Sequence, residues 1–325
     1  MTSKHIMITG ATGFIGRHLV ARLTQAADPP KITVLTRRPD AAQALFAGYD
    51  AGLTVRGYNP ADADDIAAQI EGGTGVVHLA GSPIATRWTP EARAAIRNSR
   101  VAATRALVTA IGSLRERPSV LISPSACRIY GTSDTTRFDE TSPPGPAGDF
   151  LGDICRDWEA EAMAATALGL RVVILRTGIV LGLTEEGRRT LDRMRPVLGG
   201  RIGTGKQWVS WIHRDDFVSI VLAALDRPAM QGVYNATAPT PARMAQVTDA
   251  FARNARSFLR VPVPGRILKE VLGDAATVIL DGQRVHPDRL LAEAFAFRFR
   301  AIGPAVHDIL NTEDTAPVDG TSRTA

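Results

Sequence analysis

Short apolar runs alternate with amphipathic segments from the start of the chain. His5–Thr9 is an apolar run of strand length, and Ile15–Gln25 repeats its apolar residues with the period of a helix. After two prolines, Lys31–Thr36 is a second run rich in β-branched and apolar residues. The pattern predicts a strand, a glycine-containing turn, a helix and a second strand in succession.

The same alternation continues through the first half of the chain. Further strands are predicted at Val76–Ala80, Ser119–Ser123 and Arg171–Arg176. Helical patterns separate them, the longest over Pro90–Ser113 and Asp149–Leu168. Because alternating strands and helices are joined by right-handed crossovers, we expect an α/β fold with a doubly wound parallel sheet of the Rossmann type.

The regular alternation of strands and helices ends after Arg176. There a glycine-rich, basic stretch is followed by a helix from Asp215 and a strand-like run at Gly232–Ala236. We therefore predict a Rossmann domain and a smaller C-terminal substrate-binding lobe. The last residues carry few apolar side chains, which predicts a disordered tail. The predicted boundaries are 1–176 for the Rossmann domain, which also receives roughly 213–236, then 177–212 and 237–311 for the lobe, and 312–325 for the tail.

Composition and charge narrow the classes of function. A hydrophobic content of 45% is ordinary for a globular chain, and the net charge of +5 is spread without long runs of one sign. We therefore expect a mixed solvated surface and no binding to nucleic acid. No apolar run is long enough to cross a membrane, and the chain enters a strand too early for a secretory signal segment.

The cysteines and histidines predict no metal site. The chain has two cysteines, Cys127 and Cys155, which form no closely spaced pair, and its histidines and aspartates lack the spacing of zinc ligands. Because so few thiols fit a reducing compartment, we expect a cytoplasmic protein. The sequence leaves open whether the chain is a monomer or a homodimer.

A glycine-rich turn lies between the first strand and the first helix, in the segment Thr9–Gly16 (TGATGFIG). Gly10 permits a tight turn, Gly13 lets a diphosphate approach the backbone, and Gly16 allows helix and sheet to pack closely. The free amides and the dipole at the helix start then favour an anionic diphosphate. We predict a dinucleotide site with contacts at Gly10, Ala11, Thr12, Gly13, Phe14, Ile15 and Gly16.

The end of the second strand carries cations instead of a carboxylate. An NAD-binding chain usually places Asp or Glu there for the ribose 2′-hydroxyl, whereas this chain has Thr36, Arg37 and Arg38. Since a guanidinium can bind a phosphate through two hydrogen bonds, these residues favour NADP(H) over NAD(H). The alternative is that both arginines only cover the surface. Further cofactor contacts are predicted after the run at Val76–Ala80, at Leu79, Ala80 and Gly81.

Several segments together resemble a known family. They are Thr9–Gly16, His78–Thr89 (HLAGSPIATRWT), Ile96–Leu107 (IRNSRVAATRAL), Phe150–Glu159 (FLGDICRDWE), Leu175–Gly182 (LRTGIVLG), Gly205–Asp216 (GKQWVSWIHRDD), Asn235–Pro239 and Gly282–Leu291 (GQRVHPDRLL). In this order they resemble the extended and atypical short-chain dehydrogenase/reductase superfamily, and more narrowly its nucleoside-diphosphate-sugar-epimerase-like family with a distinctive C-terminal domain. The resemblance implies a Rossmann domain, a small substrate-binding lobe and an NADP(H) cofactor.

The resemblance also shows which catalytic groups the chain lacks. Active members use a Tyr as general acid or base with a Lys four residues later, and the alignment places Leu151 and Cys155 at those positions. Ser125 occupies the position of the Ser or Thr that orients the substrate oxygen, and Arg100, beside the cofactor, replaces an Asn of the proton relay. Val209 stands where sugar-nucleotide enzymes tend to carry an Arg.

Other side chains are candidates for the missing chemistry. Tyr130 follows Ser125 closely, so its phenol is a candidate proton donor, with a structural role as the alternative. Cys155 is a candidate catalytic group only if a neighbour such as Arg156 lowers its pKa. Aromatic residues predict a less charged substrate pocket, although each also fits core packing, and these residues are Trp88, Trp208 and Trp211.

His213 is the remaining candidate for the substrate pocket. It precedes a helix that we expect Asp215 or Asp216 to cap. The sequence leaves open whether its imidazole contacts substrate or is a buried, hydrogen-bonded group.

Two functions compete. The first is an NADP(H)-dependent oxidoreductase, or an epimerase that works through transient oxidation, acting on a small organic substrate with a proton from Ser125, Tyr130 or water. The second is a non-catalytic NADP(H)-responsive binding protein, because the usual Tyr and Lys are both missing. Some members of the family that the chain resembles are described as cell-division regulators.

Overall fold

The computed structural model of the protein describes residues 4–49, 52–184, 187–190, 199–257 and 259–311. The predicted tail at 312–325 therefore lies outside the described residues. Among the helices described, none combines the length and apolar character needed to cross a bilayer.

In the described part of the chain, seven parallel strands form the central sheet, and six short strands form pairs outside it. The sheet runs in the order β3-β2-β1-β4-β5-β7-β11, with every neighbouring pair parallel. This confirms the predicted Rossmann-type fold. The strands are β1 (His5–Thr9), β2 (Lys31–Thr36), β3 (Leu53–Gly57), β4 (Gly75–His78), β5 (Val120–Ala126), β6 (Arg137–Phe138), β7 (Arg171–Thr177), β8 (Ile179–Leu181), β9 (Trp208–Val209), β10 (Trp211–His213), β11 (Gly232–Ala236), β12 (Ala242–Arg243) and β13 (Arg284–Val285).

The sequence pattern located six of the seven central strands and missed β3. Leu53–Gly57 is an edge strand that is only partly buried, so it lacks the continuous apolar run that marks a buried parallel strand. The predicted strand at Val76–Ala80 begins and ends earlier, as β4, because Leu79 and Ala80 leave the ladder to form a loop.

Helices cover both faces of the sheet. The predicted helix at Pro90–Ser113 is interrupted by a π-helical segment at Asn98–Ala102, and the helix predicted at Asp149–Leu168 ends in a 3-10 turn at Ala164–Leu168. The first six helices are α1 (Phe14–Thr24), α2 (Pro39–Leu45), α3 (Ala63–Ile70), α4 (Pro90–Arg97), α5 (Ala103–Ser113) and α6 (Phe150–Met163). Later helices span Arg214–Asp226, Met244–Ala255, Gly265–Leu272, Thr277–Leu280, Asp288–Ala292 and Ile302–Asn311.

The sheet separates two apolar layers. Ile8 belongs to the layer that contains Leu19 of α1 and Phe217, whereas its neighbour Met7 belongs to the layer that contains Leu107 of α5. Successive side chains of a strand point to opposite faces, so a strand covered on both faces is apolar throughout. This explains why the central strands appear in the sequence as continuous apolar runs.

Three short strand pairs lie outside the seven-stranded sheet. β10 pairs with β8, β12 pairs with β9, and β13 pairs with β6. Around β9 and β10, Trp211, Met244 and Phe299 form a separate apolar cluster. These pairs bring residues from beyond the sheet next to the carboxyl ends of its strands, where open α/β sheets bind their ligands.

Candidate functional site

The glycine turn between β1 and α1 has no room for a side chain at Gly10 or Gly16. Gly10 has φ +70, and a Cβ there would lie 2.6 Å from the backbone nitrogen of Ala80. A Cβ at Gly16 would lie 2.3 Å from the carbonyl oxygen of Gly10. Gly13 is the N-cap of α1 and no side chain caps the helix there. The positive φ of Gly10 confirms the predicted tight turn, and the start of α1 is a cradle suited to a diphosphate.

A basic cavity of about 950 Å³ lies beside this turn. It contains the predicted Arg37 and Arg38 at the end of β2, and also Arg17 of α1, which the sequence reasoning missed. Within the described ranges, none of these three arginines forms an ion pair with a carboxylate. Arg17 donates from Nε to the carbonyl of Thr12 at 3.0 Å. This concentration of cations suits a phosphate group.

Tyr58 also lines the basic cavity and was missed because β3, the strand before it, was missed. Burial raises the pKa of its phenol, while nearby Arg37 opposes that shift. Its aromatic ring adds an apolar wall beside the arginines.

A second cavity of about 680 Å³, called the central cavity below, lies on the other side of the turn. The two cavities share Gly10, Gly13, Leu79, Ala80 and Gly81, so they meet at the glycine turn. The apolar side chains that line the central cavity include Ile84, Leu151, Ile154, Trp158, Val209, Met244, Val278 and Ile279. The two cavities therefore adjoin at the carboxyl ends of the strands, an arrangement that suits an extended dinucleotide.

Ser125 lines the central cavity and begins a buried hydrogen-bond network. Its hydroxyl donates to Oε1 of Glu159 at 2.6 Å. Arg176 donates to both oxygens of that carboxylate, from Nε and Nη2, each at 2.9 Å. Because the proton of Ser125 is directed at Glu159, the lone pairs of its oxygen remain to accept a hydrogen bond. Glu159 and Arg176 are polar partners that the sequence analysis did not identify.

Tyr130 is in the core, so its prediction as a proton donor is wrong. Its hydroxyl donates to Oδ1 of Asn235 at 2.7 Å and accepts from Nη1 of Arg176 at 2.9 Å. Only 2% of the residue is exposed, and it is not among the residues that line the central cavity. Burial raises the pKa of the phenol, which disfavours proton release at neutral pH.

Cys155 does line the central cavity, but the pKa of its thiol is too high for a catalytic group. Burial raises the pKa of Cys155 to about 12. Arg156 does not counteract this, because its guanidinium pairs with Asp153 and binds the carbonyl of Gly145. The predicted role of Cys155 in catalysis is therefore corrected: the thiol is a neutral, packed group.

Leu151 and Cys155 nevertheless face the same cavity as Ser125. They lie one turn apart on α6, at the positions where the resemblance places a Tyr and a Lys. The cavity therefore has an apolar and a neutral side chain where a proton donor and its ammonium partner would be expected.

The tryptophans differ in their positions. Trp208 lines the central cavity, with the Arg243 guanidinium 3.8 Å from its ring centre. Trp211 is fully buried and donates to the carbonyl of Thr240 at 3.0 Å, so its prediction as a substrate contact is wrong. Trp88 does not line the cavity and packs against Phe150 behind it, which corrects that prediction also.

Trp158 was not predicted, but it lines the central cavity from α6. Its place in the sequence, within a segment that carries the family resemblance, was the available signal.

His213 is a structural residue, which corrects its prediction as a substrate contact. Its Nδ1 accepts from the backbone nitrogen of Asp215 at 3.1 Å, so His213, and not Asp215 or Asp216, caps the helix at Arg214–Asp226. Burial lowers its pKa to about 4, so the imidazole is neutral near pH 7.

Three residues, two from one end of a helix and one from a distant helix, bring together atoms of the types that bind metal ions. The ligand atoms of His213, Asp215 and Asp308 lie within 4.8 Å of one another. Arg298 donates to Asp215 at 2.6 Å and to Asp308 at 3.1 Å, so a guanidinium already balances both carboxylates. The group is best described as a charge-paired contact between the helix at Arg214–Asp226 and the C-terminal helix.

Two family descriptions match the chain. Residues 6–237 match the NAD dependent epimerase/dehydratase family. Residues 263–309 match DUF1731, a domain of unknown function.

Relatives and solved structures match over nearly the whole chain. The chloroplastic Epimerase family protein SDR39U1 homolog of Arabidopsis thaliana is 40% identical over 94% of this chain and 86% of that protein. Epimerase family protein YfhF of Bacillus subtilis is 32% identical over 96% of this chain and 99% of that protein. The human epimerase family protein SDR39U1 (isoform 2), crystallised with NADPH, is 29% identical with a TM-score of 0.81, covering 95% of this chain and 100% of that one.

Proposed function

Since this chain belongs to the NAD dependent epimerase/dehydratase family, we propose that it binds NADP(H) and exchanges hydride with a small organic substrate, as an oxidoreductase or an epimerase. The observation that carries the proposal is the meeting of two cavities at the glycine turn, one basic and one largely apolar. The basic cavity suits the adenosine 2′-phosphate, the turn suits the diphosphate, and the central cavity suits the nicotinamide and the substrate.

The choice of NADP(H) over NAD(H) rests on Arg17, Arg37 and Arg38. Their guanidinium groups surround the basic cavity, and no carboxylate stands at the end of β2 to repel a 2′-phosphate. The human relative crystallised with NADPH supports the same choice.

Cofactor choice is tested by titrating the purified chain with NADPH and NADH while nicotinamide fluorescence is recorded. Arg37→Ala is expected to weaken NADPH binding roughly tenfold or more and to leave NADH binding almost unchanged, since it removes one charge-assisted contact. Arg115→Ala, which removes the same charge at an exposed position outside both cavities, is the matched control. An unchanged ratio of NADPH to NADH affinity in Arg37→Ala would overturn the assignment.

The chemistry of the central cavity centres on Ser125. When bound, NADP(H) supplies or takes up a hydride. Ser125 accepts a hydrogen bond from a substrate hydroxyl, and Glu159 stands 2.6 Å away to take the proton that Ser125 releases. Arg176 holds that carboxylate in place with two hydrogen bonds. The surrounding apolar side chains exclude water from the reacting groups.

Catalysis is tested by offering a metabolite library to the chain with NADPH or NADP⁺ and following absorbance of the reduced nicotinamide. Ser125→Ala should turn over a substrate found in this way at least about a hundredfold more slowly. A group that transfers protons in the transition state increases the rate by about that factor. Ser113→Ala, at an exposed position, is the control and should leave turnover unchanged.

A second candidate function is favoured by Leu151 and Cys155, which replace the usual proton donor and ammonium group. In it the chain is a non-catalytic NADP(H)-responsive binding protein whose cofactor occupancy is recognised by a partner. A library that never changes the nicotinamide absorbance, together with a pull-down partner retained only with NADPH, would support this candidate over the enzyme.

We also propose a cytoplasmic location. Both cysteines are free and buried, which fits a reducing compartment. Fractionation of cells that express the tagged chain would test it, and recovery with membranes or a secreted fraction would contradict it.

A further inference from the structure

Arg100 presents a guanidinium group to the central cavity. It lies in the π-helical segment Asn98–Ala102, an irregularity that is common at functional sites. Nη1 makes all the hydrogen bonds that Arg100 donates in the described structure, to the carbonyls of Ser82 at 3.0 Å and Ile96 at 3.2 Å and to Oγ of Ser99 at 3.4 Å. Nε and Nη2 therefore keep their donors for another partner.

This guanidinium has no counter-charge in the described parts of the chain. Its neighbours along the same helical stretch do: Arg93 pairs with Asp274 at 2.7 Å and Arg97 pairs with Asp157. Burial lowers the pKa of Arg100, which reports that its positive charge is partly removed from water. An unpaired cation in such a place is costly for the folded protein unless a ligand neutralises it.

Arg100 lies next to a residue that lines both cavities. Nη2 lies 3.2 Å from where a Cβ would stand on Gly81, a residue shared by both cavities. The guanidinium carbon is also 5.5 Å from the ring centre of Trp158. A planar cation held between a glycine backbone and an indole has a fixed orientation, which favours binding of an anion through two hydrogen bonds.

We propose that Arg100 is an anion receptor that binds a carboxylate or phosphate group of the ligand held in the central cavity. The inference rests on the proposed function only in taking this cavity as the ligand site. The anion has two possible sources: the diphosphate of the dinucleotide, or an acidic group on the substrate. Because the other walls are mostly apolar, a substrate that supplies the anion would be an organic acid with an apolar body.

The test compares Arg100→Met with the wild-type chain by calorimetry, using three probes. NADP⁺ reports the diphosphate, and adenosine 2′-monophosphate, which lacks both phosphates of the diphosphate, reports the adenosine side alone. The third probe is 4-phenylbutyrate, titrated into chain saturated with NADP⁺, with 4-phenylbutanol as its neutral counterpart. Arg97→Met, at an exposed position on the same helical stretch, is the matched control and should change none of these affinities.

The result expected from the proposal is a loss of about tenfold or more in one affinity, the usual size for a hydrogen bond to a charged group. If the affinity for NADP⁺ falls while that for adenosine 2′-monophosphate does not, the diphosphate is the anion. If 4-phenylbutyrate weakens while NADP⁺ and 4-phenylbutanol do not, the substrate is the source. The proposal is overturned if the affinity for NADP⁺ is unchanged and the 4-phenylbutyrate probe also shows no effect. No effect means that the wild-type chain does not bind 4-phenylbutyrate, or binds it no better than the variant does.

A purely structural role for Arg100 gives a different result. In that case Arg100→Met would lower the melting temperature and leave all affinities unchanged, which would also overturn the proposal. Arg100→Gln, which retains a donor for the carbonyls of Ser82 and Ile96 but no charge, should show the same loss of affinity in a folded protein. Failure of wild-type chain to bind NADP⁺ would instead refute the proposed function, and the acid probe would then be titrated into chain without cofactor.

Discussion

The basic cavity and the central cavity are assembled in different ways. The basic cavity is built from the turns that follow β1, β2, β3 and β4, each of which ends a neighbouring strand. The central cavity draws on residues from Gly10 to Gln283, including α6 and the segments beyond the sheet. The glycine turn and the arginines of the basic cavity belong to one strand–turn–helix–strand segment of the sequence. The groups that meet in the central cavity come from distant segments, so their arrangement depends on how those segments pack.

The two cavities also differ in the polar groups they present. The basic cavity presents arginines without carboxylate partners in the described chain, so its charge is available to a ligand. Ser125 lines the central cavity, and its hydroxyl binds a buried pair, Glu159 and Arg176, whose charges neutralise each other outside the cavity lining. The basic cavity therefore presents several arginines to a ligand, whereas the central cavity combines the Arg100 guanidinium and the Ser125 hydroxyl with largely apolar walls.

The largest expected effect concerns the polar network of the central cavity. Glu159→Gln leaves Arg176 as an uncompensated buried cation and should lower the free energy of unfolding by about 3–5 kcal/mol in urea titrations. Glu161→Gln removes the partner of Arg105 at a more exposed pair, where solvent screens the charges, and should cost much less stability. Equal losses in the two variants would show that the network is not energetically distinct from a surface pair.

A smaller expected effect concerns the turn that the cavities share. In Gly16→Ala the new Cβ meets the backbone of Gly10 and Ala11, so the turn must shift. We expect a loss of about 1–3 kcal/mol in stability and a roughly hundredfold weaker binding of NADPH, because several amide contacts are displaced together. Gly303→Ala, where a Cβ meets nothing, is the control. Retained NADPH affinity in Gly16→Ala would contradict the proposed position of the diphosphate.

His78 contacts Thr9, which precedes the glycine turn, and the lowered pKa of its imidazole predicts that pH changes the stability of the fold. Its Nδ1 lies 2.8 Å from Oγ1 of Thr9, and burial lowers its pKa to about 4. The unfolded chain therefore takes up a proton on this residue at a higher pH than the folded chain does. The stabilisation is complete above the unfolded pKa of about 6.5 and is lost as pH falls towards 4.

The measurement is the difference in unfolding free energy between wild-type chain and His78→Asn across that range. The advantage of the wild type should shrink by at most about 3 kcal/mol from pH 7 to pH 4. His307→Asn, at an exposed position, serves as the control. A difference that is constant with pH would show that the burial of His78 does not control its protonation.

The smallest expected effect is at Cys155. Because burial raises the pKa of its thiol to about 12, iodoacetamide should leave Cys155 unmodified in folded protein near pH 7.5, and Cys155→Ala should bind NADPH as the wild type does. Mass spectrometry after trypsin digestion provides the measurement. Rapid alkylation of Cys155 in the folded chain would restore it as a candidate for catalysis.

The same contrast explains how much could be predicted from the sequence. Gly10, Gly16 and the arginines after β2 could be placed because a strand, a turn and a helix that follow one another in sequence also lie together in space. Ser125 was placed for the same reason, at the carboxyl end of β5. Arg17 was missed because one residue on a helix does not by itself reveal which way its side chain points.

Three of the wrong predictions share one physical cause. Tyr130, Trp211 and His213 lie close in sequence to cavity residues, but their side chains turn into the core, where each finds a hydrogen-bond partner. Sequence position fixes the neighbourhood of a residue, but the direction of its side chain depends on packing between distant segments. The partnership of Ser125 with Glu159 was missed for the same reason.

The most direct test of the central claim is calorimetric titration of the purified chain with NADPH and with NADH. We expect one NADPH site per chain, with an affinity for NADPH at least about tenfold greater than for NADH, because a guanidinium contacts the 2′-phosphate. Absence of binding heat with either coenzyme, supported by an unchanged melting temperature at saturating coenzyme, would contradict it.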